Sequence, residues 1–337
     1  MIHLPDHPER EPVTSAGFTP VVRTRRRLLG ALAAGSIAPS ALAQQPWPSR
    51  PVTLLCWSAP GSPVDVYARM MAKLLSAELG QPFVVENRVG ASGLIMVNTL
   101  VKAPPNGYTI AAATTTLATL FGEPAASFKP EDLAPIARSQ LDPYALVVHS
   151  STPFRNLDEF VAFARRKPEF LSVGGPFAMS SHRVAWELFS ETAKIRTTWI
   201  PYPGGGPALT AIAGGQVEAV ATNPGNVKAF VAAGKVRVLA VSAQQRLEDF
   251  PDVPTYRERG WDVSRFQWRG LIGRAGTPAP IIERLAAAVQ RVQQGPEWRA
   301  YLRQESQLDG FQGPDAFRAQ IAQDRQEIDA LKKRLGL

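Results

Sequence analysis

The chain has 337 residues, 45% of them hydrophobic and 20% charged, long enough for two domains of ordinary size and apolar enough to pack their cores. Its formal charge is +8, but residues 1–43 hold five Lys or Arg against three Asp or Glu, which leaves 32 basic and 26 acidic residues, a net +6, for the rest. Those charges are scattered, with no basic run and no interleaved aromatics, which excludes the nucleic-acid binding that a basic chain first suggests. Cys56 is the single cysteine, so there is no intrachain disulfide; set in the apolar run "VTLLCWS" with nothing to lower its pKa, it reads as a buried structural thiol.

The N-terminus, "TRRRLLGALAAGSIAPSALA", places Arg25, Arg26 and Arg27 before an apolar stretch and the small-x-small site Ala41-Leu42-Ala43. This order is that of a secretory signal peptide over residues 1–43, with Gln44 the first exported residue; Thr24 and the paired arginines also fit a twin-arginine signal. The apolar run falls short of the ~20 residues a membrane span needs. No cysteine stands directly after the cleavage site, where Gln44 and Gln45 lie, which argues against a lipid anchor.

Strand-like and helix-like segments then alternate. "PVTLLCW" leads into "SPVDVYARMMAKLLSAELG", where Ser62 can cap a helix, Pro63 suits its first turn, and Gly80 can close it. "FVVEN", a helix-like "LIMVNTLVKA", the turn "PPNG" and "YTIAAA" complete a βαβαβ unit. "DPYALVVHSS" reads as one strand crossing to a second unit, which runs "FLSVGG", "SSHRVAWELFSETA", "RTTWI", "PALTAIAGG", "VEAVAT", "PGNVKAFVAAG" and "VRVLAVS". The alternation predicts two doubly wound α/β domains with mainly parallel sheets. The last segment, "PDAFRAQIAQDRQEIDALKKRLGL", puts Phe317, Ile321, Ile328, Leu331 and Leu335 on one helical face that packs on a domain.

The glycine-rich stretch "YPGGGPALTAIAGGQ" suggests a phosphate grip, but it lacks the Lys-Ser/Thr pair of a Walker loop and the Gly-x-Gly-x-x-Gly spacing of a dinucleotide fold. What remains is a helix opened directly after a strand, with free N–H groups and a positive dipole end available to an anion. Three more loops share the design: Pro60-Gly61-Ser62-Pro63, Gly174-Gly175-Pro176 ahead of Ser180-Ser181-His182, and Thr222-Asn223-Pro224-Gly225. In doubly wound sheets, ligands sit outside the carboxyl ends of the strands, where such loops lie. Asp65 suits either a ligand contact or a helix cap, His182 either a cleft donor or a structural role, and His149 a structural role. The absence of a Ser-His-Asp order, a His-Glu-x-x-His motif or clustered metal ligands argues against hydrolase or metalloenzyme chemistry.

The stretches "WPSRPVTLLCWSAPGSPVDVYAR", "LGQPFVVENRVGASG", "KAPPNGYTI", "IPYPGGGPALTAIAGGQVEAV", "GKVRVLAVSAQQR", "DVPTYRERG" and "WRGLIGRAGTPAP", in this order, resemble the tripartite tricarboxylate transporter receptors, also called the Bug family. The resemblance covers Trp47 to the C-terminus. It implies a periplasmic, monomeric solute-binding protein without a cofactor, whose two α/β domains close by a hinge on a small carboxylate held by backbone amides, hydroxyls and waters. Residues 44–147 with 269–337 would form the first domain and 148–268 the second. Carried over by position, the ligand contacts fall on Ser58, Pro60, Gly61, Ser62, Asp65 and Thr114 in the first domain. In the second they fall on Gly175, Pro176, Phe177, Ser180, Ser181, His182, Tyr202, Gly204, Gly205, Gly206, Thr222 and Asn223. Ser62, Phe177, Met179 and Pro203 depart from the family pattern, which bears on the choice of solute. The implied partners are the membrane components of such a transporter or a sensor kinase; the competing reading is an exported α/β enzyme acting on a carboxylate or phosphate ester.

Overall fold

The computed structural model describes residues 47–336, so the signal-peptide reading of residues 1–43 lies outside the described residues. The elements are, in order, β1 (Val52–Cys56), α1 (Pro63–Leu79), β2 (Phe83–Asn87), α2 (Leu94–Leu100), β3 (Thr109–Thr114), the short α3 (Leu117–Leu120) and β4 (Leu133–Pro143). Then follow β5 (Ala145–His149), α4 (Leu157–Arg166), β6 (Ser172–Pro176), α5 (Ser181–Ala193), β7 (Thr198–Tyr202), α6 (Gly205–Ala213), β8 (Ala219–Thr222), α7 (Lys228–Ala232) and β9 (Val236–Val241). The chain closes with β10 (Phe266–Arg274), α8 (Ala279–Gln293), α9 (Pro296–Gln304), β11 (Leu308–Gln312) and α10 (Pro314–Leu335).

These strands form two sheets, ordered β11-β4-β10-β3-β1-β2 and β7-β6-β8-β5-β9, each flanked by helices on both faces. Each sheet with its helices makes one α/β lobe. In the first, Leu54 and Cys56 of β1 turn toward Tyr67, Met71 and Leu75 of α1, while Leu55 turns the other way, toward Val97 and Leu100 of α2 and Phe317 and Ile321 of α10. Helix α1 starts and stops on the expected signals: Asp65 N–H donates to Ser62 Oγ at 3.3 Å, Pro63 opens the first turn, and Gly80 ends it at φ 71°.

The sheets are mixed, not mainly parallel. β1 pairs β2 and β3 in parallel and β6 pairs β7 and β8 in parallel, but β10 runs against β3 and β4, β11 against β4, and β5 against β8 and β9. The antiparallel strands are chiefly those that carry the chain between the lobes, and a crossing strand enters its new sheet without the helical return that enforces parallel order. The stretch "DPYALVVHSS" is accordingly two strands: β4 ends at Pro143 in the first sheet, and β5 begins at Ala145 in the second. The turn at Tyr144 is pinned by its N–H to Ser242 Oγ and by Asn223 Nδ2 to the Pro143 carbonyl, each at 2.8 Å.

Helix α10 buries the expected face, and it touches both lobes. Phe317 and Ile321 enter the first core, while Ile328 and Leu331 pack with Val184 of α5. Among the described residues no helix is long and apolar enough to cross a membrane.

Candidate functional site

The carboxyl ends of β1, β3, β6, β7 and β8 point their loops at one cavity of about 400 Å³ between the lobes. Ser58, Pro63 and Thr116 contribute from the first lobe; Pro176, Phe177, Ser180, Ser181 and His182, then Gly205 and Gly206, then Thr222 and Asn223 contribute from the second. Ten of the residues expected from the sequence are thus brought together: Ser58, Pro176, Phe177, Ser180, Ser181, His182, Gly205, Gly206, Thr222 and Asn223.

Helix α6 presents its open end. Its N-cap is Gly204, at φ 161° in extended backbone, so no cap side chain meets the first-turn N–H groups of Gly205 and Gly206. A Cβ on Gly205 or Gly206 would meet nothing within 4 Å, and one on Gly204 only Pro207 Cδ at 4.0 Å, so empty space lies in front of the loop. Helix α5 differs, because Ser180 Oγ accepts from Arg183 N–H at 3.3 Å and caps it.

His182 is buried, and its Nε2 lies 2.9 Å from Asn223 Oδ1. Asn223 Nδ2 donates to Pro143 O, so Oδ1 is the accepting end and His182 is the neutral tautomer with its proton on Nε2. Burial pushes the imidazole down to about 4, against the opposing hydrogen bond to Asn223. A ring at 70° to Tyr144, 4.9 Å away, backs it. His182 is therefore an uncharged wall of the cavity at neutral pH.

Phe177 stands at φ 57°, unusual for a residue with a side chain, and both its backbone groups hold it there. Its N–H donates to Tyr202 O at 2.7 Å, and its carbonyl accepts from Trp199 Nε1 at 3.0 Å. The ring is 38% exposed and forms part of the cavity rim.

Eight expected residues do not line the cavity. Asp65 is buried, and its carboxylate is occupied by Gly61 N–H at 2.9 Å, Asn87 Nδ2 at 2.8 Å and Arg69 Nε at 2.8 Å. Burial would raise its pKa, but these hydrogen bonds outweigh it and hold the carboxyl below its ordinary value. Pro60, Gly61 at φ 80°, and the cap Ser62 form the turn that this carboxylate anchors. Thr114 turns the chain after β3, its Oγ1 accepting from Thr116 N–H at 3.3 Å, and it is Thr116 that reaches the cavity. Gly175 is needed for packing, since a Cβ there would lie 2.2 Å from Trp199 Cη2; Tyr202 lies over Gly174, and Gly204 is the cap.

Sequence reasoning missed Trp57, Pro63, Val64, Thr116, Leu209, Asn226, Gln267 and Arg269, which also line the cavity. Gln267 and Arg269 carried a legible signal: polar residues on either side of Trp268 in a central, otherwise apolar strand. Arg269 is the only formally charged residue among those lining the cavity, which has no carboxylate in its wall.

Comparison with known proteins identifies a family and a fold for the chain. The model of the tripartite tricarboxylate transporter family receptor matches residues 67–337. A UPF0065 protein of Bordetella bronchiseptica is 32% identical over 275 residues, 81% of each chain. A R. palustris protein solved with adipate superposes with a TM-score of 0.75 at 28% identity, covering 86% of this chain and 98% of that one. MatC from Rhodopseudomonas palustris with bound malate gives 0.68 at 27% identity, covering 84% and 99%.

Proposed function

The chain belongs to the tripartite tricarboxylate transporter family of receptors, and on that premise we propose that it captures a small carboxylate in the cleft and passes it to the membrane components of such a transporter. The observation that carries this reading is the uncapped N-terminus of α6, facing a cavity walled by hydroxyls and a neutral imidazole with no carboxylate to repel an anion. Helix-end N–H groups and oriented dipoles suit a carboxylate, and the solved relatives with adipate and malate bind acids of this size.

The protein works by binding alone. A hydrolase would need a nucleophile activated by a nearby base. His182 is the one imidazole in the wall, and it spends its Nε2 proton on Asn223. We take the site residues to be those that line the cavity, with Asp65 and its partners as the scaffold of the first-lobe loop. We place the lobe limits at Tyr144 and between Val241 and Phe266, where the chain leaves one sheet for the other. The receptor acts as an exported, periplasmic monomer.

A thermal-shift screen of the exported chain against linear and aromatic mono- and dicarboxylates tests the reading, because a ligand bound only by the folded state raises Tm. At 100-fold excess over Kd the stabilisation is about 2.7 kcal/mol, a rise of roughly 4 to 5 °C for a chain of this size. No rise with any acid in the panel would overturn the reading.

A further inference from the structure

We propose that Arg269 reads the charge at the second end of the solute, and so makes this receptor selective for acids with two carboxylates over the same acids with one. The inference rests on the carboxylate-receptor reading above and assigns the residue that sets its specificity.

Arg269 and Gln267 lie two residues apart on β10 and both line the cavity, while Trp268 between them turns away to Phe317 and Asp324. The Arg269 side chain is only 4% exposed. One of its nitrogens, Nη2, reaches Asp142 Oδ2 at 3.3 Å; Nε and Nη1 have no partner among the described residues. Asp142 is a loose counterion, because Oδ2 is shared with Gln307 Nε2 at 3.4 Å and Oδ1 has no partner among the described residues. Burial raises the Asp142 carboxyl to about 6 in spite of the Arg269 charge beside it, so the pair is far from saturated.

Buried guanidinium donors are seldom left unused, since each has given up its water. Nε and Nη1 are themselves shielded from solvent, so what an arriving carboxylate meets at the cavity wall is the charge of the guanidinium, the one cation there. The cavity is also chemically lopsided. The second lobe offers the N–H groups of α6 and the hydroxyls of Ser181 and Thr222, all neutral donors; the first-lobe sheet offers a cation. A solute with one carboxylate satisfies one wall and strands the other. A dicarboxylate satisfies both, and a guanidinium–carboxylate contact is the stronger, charge-assisted kind.

The test is calorimetry on the full exported chain with succinate, glutarate and adipate beside butanoate, pentanoate and hexanoate. The variants are Arg269→Lys and the double variant Arg269→Gln with Asp142→Asn, which replaces an ion pair by an amide pair; melting temperatures are measured alongside. The parent should bind at least one dicarboxylate about 30-fold or more tighter than its length-matched monocarboxylate. The double variant should bring the two within about threefold of each other by losing dicarboxylate affinity alone. Arg269→Lys, which keeps the charge without the planar fork, should fall between and decides the matter if the double variant does not fold. Equal binding of both acid classes by the parent, or an unchanged preference in the folded variants, overturns the proposal and leaves Arg269 a structural residue hydrated by buried water. Failure of the parent to bind any of the six acids overturns this proposal, and the carboxylate-receptor reading falls with it only if the wider thermal-shift panel is negative as well.

Discussion

Gly205→Val separates ligand recognition from folding. Gly205 is the first residue of α6, outside the left-handed region, and a Cβ there meets nothing within 4 Å, so a side chain can be added without backbone strain or a clash at Cβ. Its two methyl groups instead occupy the space in front of the helix N-terminus. Stability should change by no more than about 1 kcal/mol, or roughly 2 °C in Tm for a chain of this length. Binding should suffer far more, since one charge-assisted hydrogen bond is worth roughly 1.5 to 3 kcal/mol, and losing it weakens Kd about 10- to 150-fold. Calorimetry with the acid that raises the parent's Tm most, on the parent, Gly205→Ala and Gly205→Val, should show a graded loss at nearly constant Tm. Affinities unchanged in both variants would refute the assignment of α6 as the carboxylate's seat, whatever the melting temperatures do.

Gly175→Ala should behave in the opposite way: its Cβ would stand 2.2 Å from Trp199 Cη2, and overpacking of about 1–3 kcal/mol should appear as a lower melting temperature by differential scanning calorimetry. Gly225→Ala should also lower Tm, because the new Cβ would lie 2.4 Å from the Glu305 carbonyl on the other lobe; a Tm equal to the parent's would show that the lobes shift freely there. His182→Gln tests the pH response. With its pKa depressed from 6.5 to about 4, the folded chain refuses a proton that the unfolded chain accepts, so His182 removes stability as pH falls from 6.5 toward 4. Asp142 and Asp324, raised from 3.8 to about 6 chiefly by burial, work the other way, since the folded chain takes up their protons first. Replacing His182 should therefore make acidification from pH 6.5 to 4.5 less destabilising than in the parent, on the order of 2 kcal/mol, and parallel Tm curves would contradict it.

Much of the fold was legible because its signals are local. Ser62, Pro63 and Gly80 mark the ends of α1 by capping chemistry that needs no partner, and the face of α10 repeats at helical period. Strands β4 and β11 were not legible, nor was the break at Tyr144. Polar residues punctuate β4 at Arg138, Ser139, Gln140 and Asp142, because the strand faces a polar cluster that only the tertiary fold assembles. The loops that build the cavity announced themselves by glycine, proline and hydroxyl residues at strand ends. Their division into wall and scaffold did not, since Asp65 and Ser58 sit in one short loop and differ only in which way the backbone turns. Arg269 could be noticed as a polar residue in an apolar strand, but its role could not be read until Asp142 and the cavity were both in place.

The central claim is that the solute's carboxylate sits between the lobes on the open end of α6, and a crystal structure of the exported chain with the acid that raises its Tm most tests it directly. The account predicts density for the acid in the cavity, one carboxylate within hydrogen-bonding distance of the Gly205 or Gly206 N–H. Density elsewhere on the molecule, or in the cavity with no carboxylate oxygen near α6, would contradict it.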